Sequence, residues 1–351
     1  MLGLTMKRAM GELALIERIR TGWASGDAAG RSRGVVLGIG DDCAILRPPC
    51  GHELLVTTDF TLEGRHFRRD LHPPESVGHR ALARGLSDLA AMGARPLAAF
   101  LSLALPGEML ATRAGRAWVK RFLAGLGELA AANRVSLAGG DTAEAPGGLV
   151  LADIVLVGSA PAGRALRRSG ARPGDALYVT GQLGGAAAEL VAMQQREGRH
   201  HTPRSTAAKS RVPGFVAHPQ LYPHPRTAVG LALLRRRIAT AAIDLSDGLS
   251  TDLAHLCRES GVGAEVIEAA LPIHPLAAQA SHPLNLALNG GEDYELLFSA
   301  PASVKMPRSL AGVPIARIGR LVRSSDVSLV DAHGHHKPLK PRGWEHFAGS
   351  R

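Results

Sequence analysis

Asp41 and Asp42 in GIGDDCAIL, Asp59 in VTTDF, Asp88 in LSDLAAMGA, Asp141 in AGGDT, and Asp244 with Asp247 in IDLSDGL each sit where an apolar run ends, beside glycines or other small residues. Two carboxylates about 4 Å apart repel by roughly 4 kcal/mol at an effective dielectric near 20. A site that gathers several of them therefore needs compensating cations. Hard oxygen ligands of this kind select Mg²⁺ or Ca²⁺, and Mg²⁺ usually accompanies a phosphate substrate. Each aspartate also has an ordinary structural explanation. Asp-Gly pairs form turns, and Asp247 with Ser246 could cap a helix over Gly248–Ser260, whose apolar stripe is Leu249, Leu253 and Leu256. Taken together, the aspartates favour an enzyme but do not name its reaction.

Standard phosphate-binding motifs are missing. Gly181–Gly185 follows a strand pattern and opens a helix pattern, but no Gly-Lys-Ser/Thr follows, so it is not a P-loop. Gly38-Ile39-Gly40 runs into Asp41-Asp42 rather than to the third glycine of a dinucleotide fingerprint. Protein-kinase HRD and DFG elements and the G-x-S-x-G elbow are absent. A bound nucleotide would be held by some other device.

The elements that must position these residues follow from hydrophobic periodicity. Gly34–Ile39 and Ala44–Leu46 are short apolar runs around a turn, and Glu53–Asp59 is β-rich. Ser76–Met92 places Val77, Ala81, Leu82, Leu86 and Leu89 on one helical stripe that Gly93 can end. Leu97–Leu105 and Leu149–Val157 read as strands and Arg113–Asn133 as a helix. Gly11–Ile19, interrupted by Glu12 and Glu17, reads as a short amphipathic helix rather than a signal peptide. Pro161 and Gly163 mark a boundary near residue 160. Beyond it come a strand over Ala176–Thr180 and a helix over Ala186–Arg196. Residues 198–218 are of mixed polar composition and read as a mobile insertion, with His200-His201 solvated there. The tail Asp331–Lys340 is similarly polar. The irregular alternation points to α+β domains rather than a doubly wound sheet.

Length and composition narrow the function classes. At 351 residues the chain suits about two domains. A hydrophobic content of 45% excludes a wholly disordered chain. The three cysteines, Cys43, Cys50 and Cys257, lack disulfide-scaffold or zinc spacing and fit a reducing, cytoplasmic compartment. No apolar run reaches the roughly 18 residues of a membrane span. The net charge of +10 raises nucleic acid as a partner, but aromatics are 4% and are not interleaved with basic clusters. The longest basic run, Arg235-Arg236-Arg237, suits a helix C-terminus.

The ordered series GIGDDCAIL, LLVTTDFTLEGRHF, ALARGLSDLAAMGARP, LAGGDT, GRALRRSGARPGD, AIDLSDGLSTDL and LNGGEDYELLF resembles the thiamine-monophosphate kinase family, part of the aminoimidazole-ribonucleotide-synthetase-like ATP-binding superfamily. The likeness runs from about Gly11 to Phe347, and 198–218 is the main stretch without a counterpart. It implies an α+β protein of two domains. Residues 1–160 would form a mixed α/β sheet domain that binds ATP and Mg²⁺ and pairs in a homodimer, and 161–351 an α+β domain. The implied reaction is ATP-dependent phosphorylation of thiamine monophosphate to thiamine diphosphate, by direct transfer with no phosphoenzyme.

The resemblance also implies site roles. Asp42, Thr57, Thr58, Asp59, Asp88, Asp141, Asp244 and Asp247 would ligate Mg²⁺, with Asp88 bridging more than one ion. Gly140, Asp141, Arg168 and Ser246 would meet ATP, with Arg167 an alternative to Arg168. Asp88, Arg168 and Asp247 would carry catalysis, and His66, Glu292 and Trp344 would face thiamine monophosphate. Trp344 could instead serve packing. Arg65 departs from the small apolar residue the family pattern has there. Among relatives, a selenophosphate-synthetase-like enzyme would want a cysteine ahead of Cys43, and a hydrogenase-maturation protein a C-terminal cysteine. This chain has neither. A non-catalytic nucleotide-binding regulator is disfavoured by the intact acidic set.

Overall fold

The computed structural model describes residues 11–24, 34–197 and 216–344. Most of the insertion expected at 198–218 therefore lies outside the described residues. The chain divides into two units, Met1–Gly85 with Pro96–Ser159, and Leu86–Arg95 with Ala160–Arg351. Both mix helix and sheet.

The first unit opens with α1 (Glu12–Ala24), the short pair β1 (Val35–Leu37) and β2 (Ile45–Leu46), and the long β3 (His52–Leu62). Then come α2 (Pro74–Ala91), whose last turns from Leu86 belong to the second unit, β4 (Arg95–Leu105), α3 (Gly107–Ala111), α4 (Arg113–Asn133), β5 (Ser136–Glu144) and β6 (Leu151–Pro161). Its sheet runs β3-β6-β4-β5, with β4 and β5 parallel. The α2 stripe Val77, Ala81, Leu82, Leu86 and Leu89 is buried throughout. α4 starts where the Thr112 hydroxyl oxygen accepts the Gly115 N–H at 3.0 Å and ends at left-handed Arg134. Along β3 burial alternates with the two-residue strand period. One face leaves Leu54, Val56 and Phe60 exposed, at 45%, 66% and 54%.

The second unit contains β7 (Ala176–Thr180), α5 (Gly185–Glu197), α6 (Thr227–Arg236), β8 (Ala241–Asp244), α7 (Leu249–Ser260) and β9 (Gly263–Ile267). It continues with α8 (Pro275–Ala278), α9 (Pro283–Asn289), β10 (Leu296–Ala300), β11 (Ser309–Leu310), β12 (Val313–Val322), β13 (Val327–Val330) and β14 (His336–Pro338). An eight-stranded sheet runs β14-β13-β9-β12-β7-β10-β8, with β11 beside β12. β7, β10 and β8 are buried at every residue, so they read as mainly apolar runs without alternation, each with one buried polar residue, Thr180, Ser299 and Asp244. Tyr178 and Phe298 pair across β7 and β10, their rings stacked at 5.4 Å. The α7 stripe Leu249, Leu253 and Leu256 packs into one core with Leu177, Ile243 and Leu297. Each such leucine contributes roughly 1.5–3 kcal/mol by burial. Cys257 lies in this core, where burial pushes its thiol up to about 12.

The polar tail expected at Asp331–Lys340 is a hairpin arm instead. Asp331 Oδ1 accepts the His333 and His335 N–H groups, and β14 pairs antiparallel with β13 at the sheet edge. Among the described residues, no helix is long and apolar enough to cross a membrane.

Candidate active site

In the second unit the site is built on the turn from β8 to α7. β8 ends on Asp244, which is buried at 4% exposure, and its Oδ2 accepts the Ser87 hydroxyl at 2.7 Å. Ser87 immediately precedes Asp88, so the aspartate expected to bridge ions is tied through its neighbour to the β8 end. The expected capping role of Asp247 or Ser246 is not found. Gly248 holds the cap position with no side-chain capping bond, and Asp252 Oδ2 reaches back to the N–H groups of Asp247 and Gly248, both at 3.1 Å. Asp252 thus secures the turn and leaves Asp247 outside the capping arrangement. Burial, then the charges of Asp244 and Asp247, push the Asp252 carboxyl up to about 8, against those two N–H groups, which pull it down.

The Gly-Gly-Glu-Asp-Tyr-Glu segment is zipped to this turn by its backbone. Glu292 N–H donates to Ser246 O at 2.8 Å, Tyr294 N–H to Leu245 O at 2.9 Å, and Leu245 N–H to Glu295 O at 2.8 Å. The C-terminal segment crosses the start of α7. Trp344 N–H donates to Asp247 O at 3.1 Å and Gly343 N–H to Thr251 Oγ1 at 3.0 Å, with the Trp344 ring half exposed. Asp244, Ser246, Asp247, Glu292 and Trp344, spread over a hundred residues of sequence, therefore meet at one end of α7.

Arg168 starts at the other end, where its carbonyl accepts the Ser260 hydroxyl at 2.8 Å. α7 is about 18 Å long by its rise per residue. The Arg168 side chain nonetheless reaches the field of mid-helix His255. Burial, Arg258 and Arg168 hold that imidazole below its ordinary value, and Asp247 opposes them.

Beneath the zipped segment lies a buried polar network. Arg226 pairs with Glu295, its Nε donating to Oε2 at 2.7 Å, with both side chains at most 4% exposed. The Thr180 hydroxyl donates to the same Oε2 at 2.5 Å. Gly181 adopts φ +56°, and any Cβ there would fall 1.9 Å from Glu295 Oε1. Only glycine suits that position. Asp293 accepts the N–H groups of Gly184 at 2.6 Å and Ala186 at 3.2 Å, at the start of α5. Burial pushes its carboxyl up to about 7 against those donors.

In the first unit, Asp42, Gly140 and Asp141 line one cavity of about 750 Å³, with Arg20 and Phe100 on its wall. Gly140 has φ +149°, and a Cβ there would lie 1.9 Å from Leu101 O, so its close approach to β4 requires glycine. Asp42 and Asp141 are exposed. Asp41 Oδ1 accepts the Asp42 N–H and Asp141 Oδ1 the Thr142 N–H, both at 2.9 Å. The trio Thr57, Thr58 and Asp59 is split by strand alternation. Thr58 lies on the Val56 and Phe60 face, and its hydroxyl donates to Asp153 Oδ1 at 2.8 Å. The Thr58 hydroxyl is thus turned to the face opposite Thr57 and Asp59. Asp59 stands 3.5 Å from Arg84. His66 Nδ1 accepts the Leu62 N–H at 3.0 Å, and buried Arg80 donates to the His66 carbonyl at 2.8 Å. The neutral ring therefore carries its proton on Nε2.

The donor chemistry fits magnesium: hard carboxylate oxygens crowd the β8–α7 turn closely enough for Asp244 and Asp247 to perturb Asp252. Among the described residues, no three His, Cys, Asp or Glu side chains converge on a single ion position. Sequence reasoning did not single out Asp252 or Ser87, and it read the cluster containing Glu295 as partly capping or solvated. Asp252 looks like an ordinary first-turn helix acid, and the others act through partners far away in sequence.

Two family models match the chain. Residues 40–160 match the AIR synthase related protein N-terminal domain, and residues 172–332 the C-terminal domain. The fold and its acid-rich turn thus define an AIR-synthase-related protein. The Escherichia coli (strain K12) thiamine-monophosphate kinase is 38% identical over 348 residues, covering 97% of this chain and 99% of the relative. A crystal structure of thiamine-monophosphate kinase from Stenotrophomonas maltophilia K279a superposes with TM-score 0.75 at 36% identity, covering 91% of this chain and 96% of that one. The structure of AaThiL complexed with AMPPCP and TMP superposes with TM-score 0.70 at 29% identity, covering 98% of this chain and all of that one. The chain belongs to the thiamine-monophosphate kinase family, and it is an enzyme of the kinase class.

Proposed function

We propose that the chain transfers the terminal phosphate of ATP directly to thiamine monophosphate, giving thiamine diphosphate and ADP in one in-line step. The observation that carries this reading is the meeting of Asp244, Ser246, Asp247, Glu292 and Trp344 at the β8–α7 turn, in a chain whose relative AaThiL was solved with AMPPCP and TMP. An oxygen of the thiamine monophosphate phosphate attacks the γ-phosphorus. The bond from that phosphorus to the β–γ bridging oxygen breaks, and ADP leaves with the electron pair. The attacking phosphate oxygen is already ionised at neutral pH, so no general base is required.

Asp42, Asp59, Asp88, Asp141, Asp244 and Asp247 supply metal-binding carboxylates, with Thr57 and Thr58 beside Asp59. Magnesium, when bound, screens the repulsion between the two anionic substrates. Arg168 adds positive charge against the transferring phosphate. Gly140 and Ser246 meet the nucleotide. His66, through Nε2–H, together with Glu292 and Trp344, receives thiamine monophosphate.

The exposed apolar face of β3 (Leu54, Val56 and Phe60) supports a homodimer formed through the first unit's sheet. With thiamine diphosphate biosynthesis as its role, the enzyme works in the cytoplasm, without nucleic-acid or membrane partners.

A coupled assay tests the reaction. Protein incubated with Mg²⁺, ATP and thiamine monophosphate is expected to form thiamine diphosphate, read by chromatography, and EDTA is expected to abolish the product. ATP consumption with no thiamine diphosphate would overturn the acceptor assignment.

A further inference from the structure

Glu292 has a fixed backbone and a long side chain. Its φ of +68° is left-handed, which is uncommon for a residue other than glycine, and its N–H is held by Ser246 O at 2.8 Å. None of this sets the direction of the carboxylate, which sits several rotatable bonds away. Gln220 bears on that direction directly. Its Nε2 donates to Glu292 Oε2 at 3.1 Å, while the residue itself is 2% exposed. An ionised carboxylate only accepts, so the amide's NH₂ must face it.

Gln220 is anchored by its surroundings. Its main-chain N–H donates to Glu189 Oε2 at 2.8 Å, and the other oxygen of Glu189 meets His218 Nδ1 at 2.8 Å. Farther along, Arg226 is tied to buried Glu295. The strap from His218 to Arg226 is therefore pinned to α5 at one end and to the start of β10 at the other, with the Gln220 amide presented between the pins.

We infer that Gln220 is a positioning residue for thiamine monophosphate: it aims the Glu292 carboxylate without touching the substrate. The inference rests on the reading that Glu292 faces thiamine monophosphate. Small misplacements of a positioning group carry large kinetic penalties, so the effect should appear in substrate affinity while the fold is retained.

The test is a kinetic comparison of Gln220→Met, Gln220→Glu, Glu292→Gln and the double variant Gln220→Met/Glu292→Gln, each with a thermal melt. Gln220→Met keeps the shape and removes the donor. It is expected to raise KM for thiamine monophosphate about tenfold, or about 1.4 kcal/mol, with KM for ATP and the melting temperature near wild type. Gln220→Glu is nearly isosteric but sets a second carboxylate against Glu292, and is expected to raise that KM further. In the Glu292→Gln background, Gln220→Met is expected to add less than about twofold, as for residues acting through one contact. An unchanged KM in Glu292→Gln overturns the substrate reading and this inference with it. A raised KM in Glu292→Gln beside an unchanged KM in Gln220→Met overturns the positioning role alone. Additive effects, or a lowered melting temperature with KM unchanged, show Gln220 to be purely structural.

Discussion

In the first unit Asp42 and Asp141 stand exposed on the wall of an open cavity, and the Asp141 carboxylate accepts the N–H of the residue that follows. In the second unit Asp244, Asp252, Asp293 and Glu295 are buried and engaged with a serine hydroxyl, paired N–H groups or an arginine. The first arrangement presents oxygens to whatever arrives. The second supports a few functional groups on a preformed polar framework, as in sites held by a surrounding shell of hydrogen bonds. The acids named here thus stand exposed in one unit and buried in a hydrogen-bonded framework in the other, and burial is what separates the two settings.

The largest effect should come from a group on the border of that distinction. Asp88→Asn changes a half-buried carboxylate beside Ser87 and is expected to lower kcat by roughly a thousandfold. Its melting temperature should stay near wild type. Turnover close to wild type would remove Asp88 from the metal-binding set. Next comes the scaffold itself. Glu295→Ala strands Arg226 without its buried partner and should destabilise the protein by about 3–5 kcal/mol in urea denaturation. Asp141→Ala should leave the denaturation midpoint where it is while lowering kcat by roughly a hundredfold. Equal loss of stability in both variants would erase the contrast between the units.

A smaller effect is expected with pH. The Asp293 carboxyl keeps its proton in the folded protein up to about 7, against an ordinary value of 3.8. The stability it contributes is complete below the ordinary value and is lost as pH rises through about 7. Urea midpoints at about pH 5 and about pH 8 should therefore fall with rising pH in the wild type, and the fall should be shallower in Asp293→Asn. An identical slope in the two proteins would assign the titration to another group. The smallest expected change is in Trp344→Ala, whose ring is half exposed. Losing a stacking partner should raise KM for thiamine monophosphate by roughly two- to tenfold. No change would leave the ring a packing role alone.

Much of the frame was legible in the sequence because burial writes a period into it. The helix expected over Arg113–Asn133 has those bounds, set by Thr112 at its start and left-handed Arg134 at its end. The Val77 to Leu89 stripe is buried throughout. β14 was not legible: an exposed edge strand needs no apolar alternation, and His336–Pro338 has none. The reading that aspartates end apolar runs does hold at Asp244 and Asp247, which fall at the end of β8 and in the turn to α7. The opposite facing of the Thr58 side chain was not legible, because three neighbouring polar residues look alike in a string while a strand turns every second one away. Asp252 and Gln220 were missed because their partners are set by folding. The Gln220 amide finds Glu292 across 72 residues.

The glycine-rich turn ahead of α5 offers main-chain N–H groups at a helix start, the device many nucleotide-binding proteins turn toward a phosphate. Here those groups are already occupied by Asp293, which arrives from 109 residues downstream. The protein thus sets its own carboxyl, protonated below about pH 7, where such proteins hold a phosphate. That internal occupant closes off a decoy site, and it locks α5 to the very loop that presents Glu292.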